Sequence, residues 1–228
     1  MKKIGLIAGM SYESSVSYYI GINKLINERL GGLNSAEILL SSVNFEPIEK
    51  AQRQNEWQKA GEIFANHAKI LEHGGADFIL ICTNTMHKVY DIVQNSVKIP
   101  ILHIATATLN ALKTTNVKSV LLLGTNYTMR ENFYKEVLIN GGINVIVPNQ
   151  NDMDFINDII FNELCKGKIT QSAKNRFLQI IKSHSNEIGG VILGCTEIGL
   201  LIEQKDSDIL LFDTTQIHIE QAVNLALS

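Results

Sequence analysis

The chain opens twice in the same way. An apolar run, Ile4-Gly5-Leu6-Ile7-Ala8, is followed by Gly9 and a helical pattern, and Val120-Leu121-Leu122-Leu123 is followed by Gly124 and another. Late in each half a further apolar run ends in Cys-Thr. Phe78-Ile79-Leu80-Ile81 precedes Cys82-Thr83, and Gly190-Val191-Ile192-Leu193-Gly194 precedes Cys195-Thr196. Gly9 and Cys82 lie 73 positions apart, Gly124 and Cys195 71. Aliphatic runs of this length read as buried strands. Strands alternating with helical segments indicate parallel sheets covered by helices. The near-duplication therefore predicts an α/β chain of two pseudo-symmetric lobes, each a parallel sheet flanked by helices. The active site is expected in the cleft between them, because open parallel sheets place ligands at their strand ends. The expected boundaries are residues 1–103 for the N-terminal lobe and 104–213 for the second, with a closing helix, 214–228, packing back on the first.

The local signals run in order. A strand is expected over 3–9, then a helix capped by Ser11 or Ser14 and ended at Gly31-Gly32. A second strand lies in 36–43, and residues 44–47 read as a loop, with Pro47 suited to a first helical turn. Residues 48–71 read as helix broken near Asn55, 77–81 as strand, 84–94 as helix. Residues 98–102 read as an edge or strand start because of Pro100. Nothing is assigned between that strand and Lys118. In the second half, strands are expected over 118–123, 144–147, 190–193 and 208–212. Residues 124–128 read as a turn leading into a helix that runs to Asn140. The other helices are expected over 149–165, 170–183, 196–204 and 214–227.

The 228 residues are 45% hydrophobic, enough for a well-buried core. Twenty basic against 23 acidic residues, with no Lys/Arg cluster, exclude a nucleic-acid footprint from expectation. No apolar run approaches the roughly 20 residues that span a bilayer. The Met1-Lys2-Lys3 opening has too short an apolar part for a signal peptide and reads as the first strand. Three widely spaced cysteines do not make a disulfide framework, so free thiols and a cytoplasmic location are expected. Neither a dinucleotide nor a phosphate-loop glycine motif occurs, no Cys/His spacing suits zinc, and no lysine sits in a recognisable aldimine setting. No cofactor and no metal are therefore expected.

Cys82 and Cys195 are the candidate catalytic residues. Buried cysteine is often inert core, but these two occupy matching strand ends at expected helix starts, where a thiolate is favoured. Thr83, Asn84, Thr85 and Thr196 either cap helices or, with nearby backbone N–H groups, cradle a carboxylate. Thr125 and Thr128 supply hydroxyls at the turn after Gly124, and Met10-Ser11 is the counterpart in the first half. Arg53 and Lys166 either hold an anion or are solvated surface charges. Glu197 either orients and deprotonates the second thiol or sits exposed on a first helical turn. His87 and His103 read as packing or capping residues, and Cys165, which has no partner in the other half, as structural. Two like thiols suit a reversible proton transfer, because acid and base exchange roles when the reaction runs backwards. A carbanion-like state between them needs donors aimed at its carboxylate.

At these residues the chain resembles the cofactor-independent aspartate/glutamate racemase family, and within it the aspartate racemase branch. The resemblance covers essentially the whole chain. It is carried by residues 5–14 (GLIAGMSYES), 82–87 (CTNTMH), 124–129 (GTNYTM), 163–168 (ELCKGK) and 194–198 (GCTEI). It implies two α/β lobes, a PLP-independent two-base mechanism and a homodimer. By position it implies that Cys82 and Cys195 are the catalytic pair. Asn84, Thr85 and Thr196 would hold the substrate's amino and α-carboxylate groups, and Gln52, Arg53 and Lys166 would lie near its carboxylates. Glutamate racemases usually carry His after the second Cys-Thr. Glu197 here, and Gly-Met-Ser rather than Asp-Ser-Gly in the first turn, point to the aspartate branch. The expected activity is interconversion of L- and D-aspartate, with glutamate a second substrate. The competing readings are a related hydantoin racemase, maleate isomerase or malonate-type decarboxylase, and a two-lobed amino-acid binding protein without chemistry.

Overall fold

The computed structural model describes residues 1–228. Two four-stranded, all-parallel sheets organise it. The first is built from β1 (Ile4–Ala8), β2 (Ile38–Ser42), β3 (Phe78–Ile81) and β4 (Ile101–Leu102), in the order β2-β1-β3-β4. The second uses β5 (Ser119–Gly124), β6 (Asn144–Ile146), β7 (Gly190–Gly194) and β8 (Leu210–Asp213), in the order β6-β5-β7-β8. The two orders are the same, so the sequence repeat is a repeat of topology. The chain divides into two compact units, Met1–Ile104 with His218–Ser228, and Ala105–Ile217.

In the first unit the helices are α1 (Tyr12–Leu30), α2 (Phe45–Arg53), α3 (Trp57–His73) and α4 (Tyr90–Gln94). Ser11 caps α1, its Oγ accepting from the Ser14 N–H at 3.4 Å. Side chains alternate along a strand, and the burial follows. Ile4, Leu6 and Ala8 of β1 pack with Phe78, Leu80 and Cys82 on one face, and Ile7, Ile79 and Ile81 pack on the other with residues of α2 and α3. The loop expected at 44–47 is instead a helix start. Asn44 Oδ1 accepts from the Glu46 N–H, so Phe45–Pro47 form the first turn of α2. The break near Asn55 is present, with Asn55 at φ 59° between α2 and α3. Pro100 precedes a two-residue edge strand, and its carbonyl accepts from the Ile79 N–H at 3.0 Å.

Next come α5 (Ile104–Lys113), α6 (Asn126–Arg130), α7 (Asn132–Asn140), α8 (Gln150–Asn162), α9 (Gln171–Ser183), α10 (Ile198–Leu201) and α11 (Thr214–Ala226). The stretch left unassigned in the sequence holds α5. Its Thr106 and Thr108 are weak helix formers, but Ile104, Ala105, Ala107, Thr108 and Leu112 are all buried, so packing overrides propensity. The turn expected over 124–128 is also helical from Asn126 onward, and extended backbone at Glu131 separates α6 from α7. The helix expected over 196–204 shrinks to the four residues of α10, followed by a separate 3-10 turn at Gln204–Asp206. No helix is long and apolar enough to cross a membrane.

Candidate active site

Cys82 and Cys195 stand at the ends of β3 and β7, which occupy the same place in the two sheet orders. Cys82 continues the row Phe78, Leu80, packed on α1 and α11. Cys195 continues the row Val191, Leu193, packed on α8, α9 and α10. Both are buried, at 0% and 7% exposure.

The expectation that helix N-termini would favour the thiolates is not met. Cys82 is followed by a 3-10 turn, Thr85–Val89, and Cys195 by the four-residue α10. A macrodipole needs more aligned peptides than that. Burial pushes the Cys82 thiol well above its ordinary range. Cys195 is pushed up by burial first and then by the charge of Glu197. Both thiols are therefore protonated at neutral pH, and each thiolate must be made when needed.

Their hydrogen bonds differ. The Cys82 thiol donates to its own strand, to the Leu80 carbonyl at 3.9 Å. The Cys195 thiol donates to Glu197 Oε2 at 2.9 Å, and the Thr196 hydroxyl donates to the same oxygen at 2.9 Å. Glu197 is 1% exposed, not solvated on a helical turn. Of its two sequence readings, the structure takes the one that touches the thiol. Cys165, read as structural, packs on the cluster that includes Cys195. The 163–168 segment was visible as a motif, but nothing in sequence spacing ties position 165 to position 195.

The strand ends in the second unit are held by glycine. Gly124 and Gly194 are register partners on β5 and β7. A Cβ on Gly194 would lie 2.7 Å from the Leu123 carbonyl oxygen, and one on Gly124 would lie 2.8 Å from the Gly194 carbonyl and 3.1 Å from Thr128 Cβ. This closeness brings Thr125 and Thr128, both buried, to the strand beside Cys195. Thr125 caps α6, its Oγ1 accepting from the Thr128 N–H at 3.3 Å. Gly194→Ala should overpack this junction, costing roughly 1–3 kcal/mol. A thermal melt several degrees below wild type is expected, and an unchanged melt would contradict the close packing.

In the first unit, Met10 and Ser11 are buried just past β1, next to β3. Gln52 is buried and its Nε2 donates to Met86 Sδ at 3.1 Å, which ties α2 to the turn after Cys82. Asn84 and Thr85 are buried and Thr83 half-buried. Arg53 is exposed and 3.6 Å from Glu49. Lys166 is exposed at the end of the 3-10 turn Leu164–Lys166.

Both ring nitrogens of His87 are already committed to the backbone. Its Nδ1–H donates to the Thr83 carbonyl at 2.9 Å and its Nε2 accepts from the Ile104 N–H at 3.1 Å. It is a brace for the Cys82 loop. His218 is used likewise, its Nε2–H donating to the Leu102 carbonyl and its Nδ1 accepting from the Tyr18 hydroxyl, both at 2.9 Å. His103 packs edge-on against His87, ring centroids 4.6 Å apart. No group of three or more His, Cys, Asp or Glu side chains converges to hold a metal ion.

Comparison with known proteins agrees with this fold. A family model described as Asp/Glu/Hydantoin racemase matches residues 7–222. The broad specificity amino-acid racemase RacX of Bacillus subtilis is 24% identical, over 99% of this chain and 98% of that protein. A candidate Asp/Glu racemase from Yersinia pestis superposes with a TM-score of 0.92 at 43% identity, each chain fully covered. PH1733 of Pyrococcus horikoshii, an aspartate racemase homologue, superposes with a TM-score of 0.87 at 36% identity, again over both whole chains.

Proposed function

This chain belongs to the Asp/Glu/hydantoin racemase family, and we propose that it racemises aspartate, with glutamate a poorer substrate, by proton transfer between Cys82, the α-carbon and Cys195. It is an amino-acid racemase. The observation that carries the two-thiol reading is the equivalent place of the two cysteines in two sheets of identical strand order. The aspartate preference is supported by Glu197 in place of histidine after the second Cys-Thr and by likeness to an aspartate racemase homologue. The broad-specificity relative marks the wider substrate range as the alternative outcome.

The site's chemistry suggests how a thiolate forms despite burial. Ionising Cys82 alone would create a buried charge with no compensation, which is costly. Moving the Cys195 proton to Glu197 only relocates a charge already present, over a 2.9 Å contact. Cys195 therefore starts as the base. It removes the α-proton, the Cys82 thiol delivers its own proton to the other face of the carbon, and the product has inverted configuration. In the reverse direction Cys82 is the base and Cys195 the acid. Thr83, Asn84, Thr85, Thr125, Thr128 and Thr196, with Met10, Ser11 and Gln52, are proposed to line the substrate, and Arg53 and Lys166 to meet its carboxylates by swinging in from exposed positions. No cofactor enters this scheme.

The test is α-hydrogen exchange in deuterated water. Both enantiomers of aspartate should exchange and lose optical activity without added cofactor, and glutamate should react more slowly. A protein that exchanges no amino acid would be a binder, and the proposal would fail. A homodimer is proposed to form on α1, where Tyr12, Val16, Tyr19 and Ile20 are exposed along one face. Light scattering should give twice the chain mass for wild type and a monomer for Tyr19→Glu. A wild-type monomer would refute it.

A further inference from the structure

We propose that Asp213 is a positioning residue for the Cys195–Glu197 pair, acting through Gly199 of α10. The pair takes its geometry from α10. The Ile198 N–H donates to the Cys195 carbonyl at 3.0 Å and the Leu200 N–H to the Glu197 carbonyl at 3.1 Å, so the backbone that carries both side chains runs straight into the helix's first turn. α10 has four residues, and no side chain caps its start. A helix that short does not hold itself, so packing must set it. Ile198 and Leu201 bury one side of it. Asp213 meets it at Gly199. A Cβ at position 199 would run into Asp213 Oδ2 and stand 2.9 Å from its Cγ. The carboxylate therefore lies directly against the helix backbone, in space that only glycine leaves open.

Asp213 is not free to give way. Its Oδ1 accepts from the Thr215 N–H at 2.8 Å and from the Gln216 N–H at 3.4 Å, capping α11. Swinging the side chain off Gly199 would leave those first-turn donors unmet. Its backbone is fixed as well. Asp213 is the register partner of Leu193 on β7, and the neighbouring Thr214 hydroxyl donates to the Leu193 carbonyl at 2.8 Å. Leu193 stands two residues before Cys195. The start of α11 is thus tied to the strand that ends in the thiol, and its capping carboxylate braces the helix that follows Glu197. Strand end and helix are fixed relative to each other, which keeps Glu197 Oε2 on the Cys195 thiol at 2.9 Å. This role rests on the reading above, in which Cys195 transfers the α-proton.

Gly199→Ala and Asp213→Ser test it, singly and together, with aspartate as the probe. Serine keeps an N-cap oxygen for α11 but ends one atom short of Gly199. Each single variant should lower kcat by about ten- to a hundredfold, the cost of misplacing a reacting group by about 1 Å, with KM near wild type. Alanine is the better helix former, so without the contact Gly199→Ala would keep or gain activity, and that result overturns the role. In the double variant the added methyl meets a hydroxyl in place of the carboxylate. The double variant should therefore be about tenfold faster than the product of the two single losses predicts, as for residues in contact. Simply multiplied losses would overturn the role. If Gly199→Ala does not fold, Asp213→Ser decides alone, and a wild-type kcat there is equally fatal. A second readout needs no turnover: iodoacetamide labelling mapped by mass spectrometry should change its rate at Cys195 in both single variants and stay unchanged at Cys82. Equal rates at Cys195 in all the proteins also overturn the role. A wild type that racemises nothing would remove the parent reaction instead, and the labelling would still read the contact.

Discussion

Cys82→Ser and Cys195→Ser are each expected to lose racemisation by about 10²–10⁴-fold, the range that a positioned proton-transfer group contributes. A serine hydroxyl fits the space of the thiol but is a far weaker acid, so it makes a poor base and a poor donor. The exchange pattern separates this scheme from simple damage. In the proposed scheme each thiol serves one face of the α-carbon, so each variant should keep faster deuterium exchange for one enantiomer, and the two variants should favour opposite enantiomers. Full racemisation by either variant would contradict the two-base scheme, and equal loss of exchange for both enantiomers would point to misfolding.

The second large effect is on acid stability. His87 and His218 are 3% and 0% exposed, and both ring nitrogens of each are committed to neutral hydrogen bonds. Burial lowers His218 to about 3 and His103 to about 4. His87 is lowered well below the ordinary value, by burial first and then by His103 and His218. Each folded value lies below the unfolded one, near 6.5. The unfolded chain therefore takes up protons first as pH falls, and the stability present above pH 6.5 is lost below it. The two fully buried rings together cost about 3 kcal/mol per pH unit as an upper bound, against a typical total of about 5–15 kcal/mol. Urea midpoints should drop steeply between pH 7 and pH 4.5, and His218→Gln should be less stable at pH 7 but lose stability less steeply. Equal wild-type midpoints at pH 7 and pH 5 would refute this.

Much of the architecture was legible because its signals are local. Aliphatic runs, the Ser11 and Thr170 caps, the stop at Gly167 and the break at Asn55 each act within a few residues. Helix α5 was not legible, because its threonines speak against a helix that burial then imposes. The short α10 was missed for a related reason. Polar Glu197 and the residues beyond it fit helix periodicity, but the chain turns away at Ile202, which is extended.

By itself the sequence determined the alternation of strands and helices, its near-duplication and the two Cys-Thr strand ends, since each depends on neighbours along the chain. The tertiary structure decided what the two thiols are. Burial, which no spacing records, raises both of them. Folding turns the neighbouring Glu197 onto the Cys195 thiol, brings Cys165 from a distant segment onto the same cluster, and leaves Cys82 against a backbone carbonyl. Two sites alike in sequence thus become chemically unequal, because the free energy of a buried proton depends on what surrounds it in three dimensions.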